Sequence, residues 1–268
     1  MTLRVLVTND DGIAAPGIQE LARAAVRRGL DVVVAAPQEE MSGTGAAMTA
    51  VERDGHVVVH QQSLPGLPDV PAYAVSGSPG FITLIGLHGA FGPAPTVVLS
   101  GINRGANAGR AVLHSGTVGA AFTAGANGCR ALAVSLDVLN AGDATPGSGG
   151  AAVAAAAMVR DAERHWSTAA RVALDLLPRL TALPIEDILN VNVPDRPYDR
   201  LRGVRRGSLA SFGQVQMTVA EAGHGFVRTS LEEPGEALPP GSDLALLADG
   251  YASVTAIRAI TEVIDVPL

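Results

Sequence analysis

The first forty residues alternate between short apolar runs and one helical pattern. Residues 3–8 and 31–36 are aliphatic and β-branched runs, typical of strands that are buried on both faces. Between them, apolar residues at positions 18, 21, 22 and 25 follow helical spacing. A strand–helix–strand unit of this kind predicts a parallel sheet with right-handed crossovers. Ligands of such sheets collect where the strands end, at their carboxyl edge.

The pattern continues along the chain with less regularity. Further strands are predicted at 56–60, 72–75, 96–99, 131–135, 189–193 and 251–257. Helices are predicted over 78–88, from about 117 to 127, and from 151 to about 180. A glycine-rich loop is expected over 100–117, and the low-complexity stretch 140–150 is expected to be a surface loop.

The last third of the chain has a different character. Short strand-like runs at 214–219 and 226–230 are separated by Gly and Pro, which predicts hairpins. No internal repeat and no clean interdomain linker interrupt the sequence. We therefore expect one α/β domain over 1–268, in which residues of about 200–240 form a β-rich projecting arm.

Composition narrows the functional classes. The 268 residues carry 26 acidic and 19 basic side chains, so a nucleic-acid polymer is not an expected partner. Every basic residue among the 19 is arginine, which excludes phosphate-binding lysines and Schiff-base chemistry. Cys129 is the only cysteine, which excludes an intrachain disulfide and thiolate zinc clusters, and a buried structural thiol is predicted.

Two observations bear on location. No apolar run approaches the roughly 20 residues of a membrane span, and the first residues lack the apolar core of a signal peptide. We expect a cytoplasmic protein without membrane association.

The sharpest local signal is Asn9-Asp10-Asp11-Gly12, directly after the first predicted strand. Neighbouring strand residues point in opposite directions, so the two carboxylates can converge only where the backbone turns, and Gly12 eases that turn. Two adjacent carboxylates repel each other unless a cation or a shared proton intervenes. The motif therefore indicates either a metal site or an Asx turn that caps the next helix.

Three other loops offer oxygen and N–H groups. Ser42-Gly43-Thr44-Gly45 follows the second strand and suits an oxyanion, although small polar loops are common. Asn103 and Asn107 share the glycine-rich loop. His114-Ser115-Gly116-Thr117 opens a helix, whose first N–H groups favour an anion.

These four loops follow core strands and should meet at one edge of the sheet. Their carboxylate, hydroxyl and amide oxygens suit Mg²⁺ or Mn²⁺ better than zinc. The dinucleotide-binding glycine fingerprint is missing from the first turn, which argues against a nicotinamide dehydrogenase.

Taken in order, these motifs resemble the SurE family of metal-dependent nucleotidases. The likeness covers residues 3–135 and returns at Asn190-Val-Asn-Val-Pro and at Ser242-Asp243. It implies a three-layer, Rossmann-like α/β fold with a mostly parallel sheet and a protruding C-terminal β-hairpin. It also implies a phosphatase acting on nucleoside 5′- and 3′-monophosphates, assembled as a homodimer or homotetramer.

The resemblance also implies residue roles. It assigns one divalent cation per subunit, Mg²⁺ or Mn²⁺, to Asp10, Asp11, Ser42 and Asn103, with Asn9, Asp10 and Asp11 as the catalytic residues. The substrate phosphate is expected near Asn9, Gly43, Thr44, Asn107, His114, Ser115, Gly116 and Thr117. Such a cation polarises a phosphoryl oxygen and positions a water molecule. The general acid stays open, as does the choice between attack by water and attack by an aspartate.

Several positions depart from the family pattern. Thr44-Gly45-Ala46 carries fewer hydroxyls than is usual, Phe81-Ile82 replaces an acid and a thiol, and His114 replaces a tyrosine. These changes motivate two alternatives: a phosphatase specialised for a biosynthetic nucleotide or sugar phosphate, and a non-catalytic nucleotide-binding homologue. His114 itself is either a proton donor to the leaving group or a histidine that only hydrogen-bonds the backbone.

Overall fold

The computed structural model describes residues 3–138, 161–213, 216–224, 226–232 and 238–262. Its strands are β1 (Arg4–Thr8), β2 (Asp31–Pro37), β3 (Glu52–Arg53), β4 (His56–Val57), β5 (Val59–Leu64), β6 (Leu67–Val75), β7 (Val97–Arg104), β8 (Arg130–Asp137), β9 (Ile188–Pro194), β10 (Val204–Arg206), β11 (Gln216–Gly223), β12 (Phe226–Glu232) and β13 (Ala252–Ile257). Its α-helices are α1 (Pro16–Arg27), α2 (Pro79–Leu87), α3 (Gly116–Ala126), α4 (Trp166–Asp175), α5 (Leu177–Ala182) and α6 (Asp243–Ala248).

Nine of the described strands form one mixed sheet. Their order is β10-β13-β9-β8-β7-β1-β2-β6-β5, and the six strands from β9 to β6 run parallel to one another. At the edges, β13 is antiparallel to β9, and β5 is antiparallel to β6. The predicted mostly parallel sheet is confirmed.

Two apolar cores cover the two faces of this sheet, which gives the predicted three layers. Alternation along β1 divides its side chains, because Val5 and Val7 belong to one core while Leu6 belongs to the other. The first core packs against α1, α4 and α5, and the second packs against α2 and α3. Strands buried on both faces explain the nearly continuous apolar runs of the sequence.

The order in which strands are added to the sheet reverses at β1. It builds β2 and β6 on one side of β1, then crosses to place β7 on the other side. Open α/β sheets bind their ligands at such a switch point, beyond the carboxyl ends of the strands. The fold therefore points to the loops that follow β1, β2 and β7.

Some element boundaries differ from the prediction. The loop expected over 100–117 is wrong at its start, because β7 continues to Arg104, and at its end, where a 3₁₀ turn spans Gly109–His114. Strand β7 persists through its glycine because it stays paired with β8 as far as Arg104. Helix α6 and strand β10 were not predicted. The expected loop at 140–150 and residues 151–160 of the helix expected from 151 to about 180 lie outside the described residues. The rest of that prediction is wrong as a single helix, because the described part holds two separate helices, α4 and α5.

The hairpin expected near 214–230 is confirmed. Strands β11 and β12 pair antiparallel with each other, and among the described strands neither joins the large sheet. Exposed apolar side chains on this hairpin include Val219, Phe226 and Val227. In the described parts of the chain, no helix is both long enough and apolar enough to cross a membrane.

Candidate active site

A cavity of about 260 Å³ opens where β1, β2 and β7 end. Eight residues predicted for the site line it: Asp10, Asp11, Ser42, Gly43, Asn103, Asn107, His114 and Ser115. The lining also includes Glu40, Arg104 and Ala111, which the sequence did not single out. Glu40 could have been found from its place in the loop that contains Ser42. Arg104 directly follows Asn103, but the sequence gives no signal that sets it apart from the other arginines.

Asp10 is buried and held by the start of α3. Its Oδ1 accepts a hydrogen bond from the Thr117 hydroxyl, and its carboxylate also accepts from the backbone N–H groups of Gly116 and Thr117. Burial nevertheless raises the pKa of Asp10 above its usual range. The anion that this helix N-terminus holds is therefore the protein's own carboxylate. The expected phosphate contacts of Gly116 and Thr117 stay predictions.

Asp11 lies beside Asp10 and faces the cavity. Its Oδ2 accepts a hydrogen bond of 3.1 Å from the backbone N–H of Arg104. Burial, with repulsion from Asp10 as the next cause, raises the pKa of Asp11 to about 7. The turn at Gly12, where φ is +94°, lets both carboxylates lie at the same end of β1.

Asn103 is aimed into the site by a β-bulge. The pairing of β7 with β8 shifts between Gly101 and Asn103, so Ile102 is an extra residue on β7. The Asn103 Nδ2 donates to the Gly105 carbonyl at 2.8 Å, and its Oδ1 lies 3.2 Å from the Thr117 hydroxyl. The amide oxygen, rather than the amide nitrogen, is therefore turned toward the Thr117 hydroxyl, which also contacts Asp10.

The loop after β2 closes the cavity from the other side. The backbone N–H of Met41 donates to the Asp10 carbonyl at 2.8 Å, which ties this loop to β1. The Ser42 hydroxyl donates to Glu40 Oε1 at 2.7 Å, so its oxygen retains lone pairs for a cation. The Thr44 hydroxyl instead donates to the Met41 carbonyl, at 3.0 Å.

Gly116 is required by this crowding. A Cβ at this position would lie 2.8 Å from Asp10 Oδ2 and 2.9 Å from the Thr44 hydroxyl oxygen. Both distances are well below an ordinary van der Waals contact. The absence of a side chain at Gly116 thus allows α3 to begin directly against the Asp10 carboxylate.

The donor set fits a hard divalent cation. Asp10, Asp11, Ser42 and Asn103 bring four oxygen-bearing side chains to one cavity, and a cation would offset the repulsion between the two neighbouring carboxylates. The nearby Asn9 Oδ1 is buried and has no hydrogen-bond donor within the described residues. Across those residues, no group of three or more His, Cys, Asp and Glu side chains is placed to hold a metal. A cation here would therefore depend on the neutral oxygens as well as the carboxylates.

Arg104, which lines the cavity, is held by a distant part of the chain. The Arg104 guanidinium pairs with Asp161, whose backbone carbonyl accepts a hydrogen bond of 2.9 Å from Trp166 Nε1. Asp161 is 57 residues from Arg104 along the chain, and no local motif in the sequence signals this pairing.

The fold and the cavity together define the class of protein. This is a doubly wound α/β protein with a cavity at the switch point that two neighbouring carboxylates line. The model of the family described as survival protein SurE matches residues 5–217. The chain therefore belongs to the SurE family.

Curated relatives agree over nearly the whole chain. The 5′/3′-nucleotidase SurE of Erwinia tasmaniensis is 34% identical over 261 residues, covering 96% of this chain and 90% of that protein. The 5′-nucleotidase SurE of Mannheimia succiniciproducens is 33% identical over 266 residues, covering 96% and 92%. The crystal structure of the SurE protein from Aquifex aeolicus superimposes with a TM-score of 0.68 at 25% identity, covering 95% of this chain and 93% of that one.

Proposed function

We propose that this protein is a divalent-metal-dependent phosphomonoesterase that hydrolyses nucleoside 5′- and 3′-monophosphates. The observation that carries the proposal is the set of oxygen side chains around Asp10 and Asp11 in one cavity at the switch point. The names of the curated relatives, 5′/3′-nucleotidase and 5′-nucleotidase, support the same reaction and substrate class.

Asp10, Asp11, Ser42 and Asn103 would hold the cation, Mg²⁺ or Mn²⁺. A bound cation supplies Lewis acidity toward a phosphoryl oxygen and lowers the pKa of a coordinated water molecule. The chain's own groups do the positioning. Thr117 and the α3 N-terminus fix Asp10, while the Arg104 N–H fixes Asp11.

The rest of the lining suits the substrate. Gly43, Asn107, His114 and Ser115 surround the cavity beyond the carboxylates, where the phosphate and its leaving group would lie. His114 is exposed at this rim, within reach of solvent for proton exchange. It is our candidate for delivering a proton to the leaving alkoxide.

A phosphate-release assay tests the proposal. Metal-stripped protein is assayed with 5′-AMP, 3′-AMP and p-nitrophenyl phosphate, in the presence of Mg²⁺, Mn²⁺ or EDTA. We expect turnover of both nucleotides only when a divalent cation is added.

Two matched variants complete the test. Asp10→Asn should lose activity, whereas Asp31→Asn should keep it, because Asp31 is a half-exposed aspartate paired with Arg4 at the opposite end of the sheet. Turnover that persists in EDTA, or equal activity in Asp10→Asn and the wild type, would contradict the assignment.

A further inference from the structure

Two asparagines of β9 form hydrogen bonds with the backbone of Asn107. The Asn107 N–H donates to Asn192 Oδ1 at 2.8 Å, and the Asn107 carbonyl accepts from Asn192 Nδ2 at 3.0 Å. The same carbonyl accepts a second hydrogen bond, of 2.8 Å, from Asn190 Nδ2. Asn190 and Asn192 are both fully buried. The backbone donor and the backbone acceptor of one residue are thus both held.

Two residues after Asn107, the backbone of Gly109 is held by Asp243. We call the hydrogen bonds of Asn192 to Asn107 and of Asp243 to Gly109 the two clamps of this segment. The Asp243 Oδ2 accepts a hydrogen bond of 2.7 Å from the Gly109 N–H, and its Oδ1 accepts from the N–H groups of Ala210 at 3.0 Å and Leu244 at 2.9 Å. Asp243 is fully buried. The approach at Gly109 is close, because a Cβ there would lie 1.8 Å from the Phe212 carbonyl oxygen.

These contacts reach the site through Gly105. The Gly105 carbonyl accepts from Asn103 Nδ2 and so decides that the oxygen of the Asn103 amide faces the Thr117 hydroxyl beside Asp10. Gly105 lies two residues before the clamped peptide of Asn107. If residues 105–109 moved, the Asn103 amide would lose the contact that keeps its oxygen turned toward the Thr117 hydroxyl.

We propose that Asn192 and Asp243, which lie outside the cavity, are positioning residues that hold residues 105–109 in register and thereby keep the Asn103 oxygen in place to bind a cation. The inference deepens the proposed function and rests on it for its link to catalysis. Breaking either clamp leaves a backbone N–H of this segment without its acceptor, which is energetically costly. The segment relieves that cost by moving toward solvent, which displaces Asn103.

Two variants break the clamps separately. Asn192→Leu keeps the branched arrangement of four side-chain heavy atoms and removes both hydrogen bonds to Asn107. Asp243→Asn keeps the size of the side chain but substitutes an NH₂ group for one acceptor oxygen. Ser253→Ala is the matched control, because Ser253 lies opposite Asn192 in the sheet register, is fully buried, and carries a hydroxyl with no partner among the described residues.

The first readout is hydrogen exchange of residues 103–114 in the metal-free protein, which does not depend on any activity. We expect the amides of Asn107 and Gly109 to exchange at least tenfold faster in both variants, and within twofold of wild type in Ser253→Ala. The second readout is Mn²⁺ affinity by calorimetry, which should fall at least tenfold in both variants and not in the control. In phosphate release, kcat should fall more than KM changes.

Three results would overturn the inference. One is exchange in both variants that matches the control. Another is faster exchange with unchanged Mn²⁺ affinity and kcat, which would make the clamps purely structural. The last is a wild-type protein that does not bind Mn²⁺. A wild type that binds Mn²⁺ but releases no phosphate would refute the proposed function alone, and exchange with Mn²⁺ affinity would still decide the clamps. If Asn192→Leu does not fold, Asp243→Asn is compared with the control alone.

Discussion

Replacing Gly116 by alanine should lower the activity of the protein much more than its stability. The added Cβ would lie 2.8 Å from Asp10 Oδ2, whereas ordinary contacts begin near 3.4 Å, so the carboxylate or the helix must shift by at least 0.6 Å. Misplacing a reacting group by about 1 Å costs on the order of 100-fold in rate. We therefore expect kcat for nucleoside monophosphates to fall about 10- to 100-fold in Gly116→Ala.

The effect of Gly116→Ala on stability should be small by comparison. Overpacking costs about 1–3 kcal/mol, and alanine regains up to about 1 kcal/mol of helix propensity over glycine. The net loss of about 0–3 kcal/mol corresponds to a fall in Tm of roughly 0–5 °C for a chain of this size.

Gly86→Ala is the matched control for this prediction. Its Cβ would lie 2.9 Å from Leu6 Cδ2, a contact as close as the one at Gly116, but in the apolar core beneath α2. Gly86→Ala should lose stability and keep its kcat, while Gly116→Ala should lose kcat. Thermal melts and phosphate release on the same samples measure both quantities. Equal kcat values in the two variants would refute the claim that Gly116 exists to accommodate Asp10.

The remaining predictions concern metal binding, pH and thiol reactivity. Mg²⁺ at about 100 times its Kd should stabilise the wild type by about 2.7 kcal/mol, so its Tm should rise by roughly 5 °C, and Asp11→Asn should show no such rise. Burial alone would raise the pKa of Asp195, but hydrogen bonds from the His165 N–H and ring and from the Arg164 guanidinium lower it overall. The stability that Asp195 contributes is therefore present at neutral pH and lost as the pH falls through its folded pKa. Urea unfolding should show Asp195→Asn less stable than wild type at pH 7, by a margin that narrows as the pH is lowered through the acidic range. Burial raises the pKa of Cys129 to about 11, so iodoacetamide at pH 8 should label this thiol only after denaturant is added, and rapid labelling of the native protein would contradict its burial.

The apolar pattern predicts the centre of the fold well because its strands are buried on both faces. Strands β1, β2, β8 and β9 lie within two residues of their predicted bounds. In β6, the predicted run coincides with Ala72–Val75, the part that pairs with β2. The first half of β6 was missed because it pairs only with β5 at the exposed edge, where no buried face imposes a pattern.

The candidate site is predictable where its residues are local in sequence. Asp10 and Asp11 are adjacent, and Asn103 and Ser115 each follow or precede a recognisable element. The sequence does not reveal which distant residues hold this part of the chain in place. The pairing of Arg104 with Asp161 and the clamp of Asp243 on Gly109 join positions 57 and 134 residues apart, and no periodicity or spacing rule spans such distances.

The residues that hold 105–109 lie far downstream in the sequence, so they are synthesised well after the segment that they hold. The ribosome releases the N-terminal half first, so Asp10, Asp11 and Asn103 are present long before Asn192 and Asp243 leave the exit tunnel. The Asn107 peptide must wait for a partner 85 residues downstream, and Gly109 for one 134 residues downstream. A nascent chain therefore carries all four proposed cation ligands before the residues that we propose align them. We therefore expect the proposed site to form only after Asp243 has left the exit tunnel.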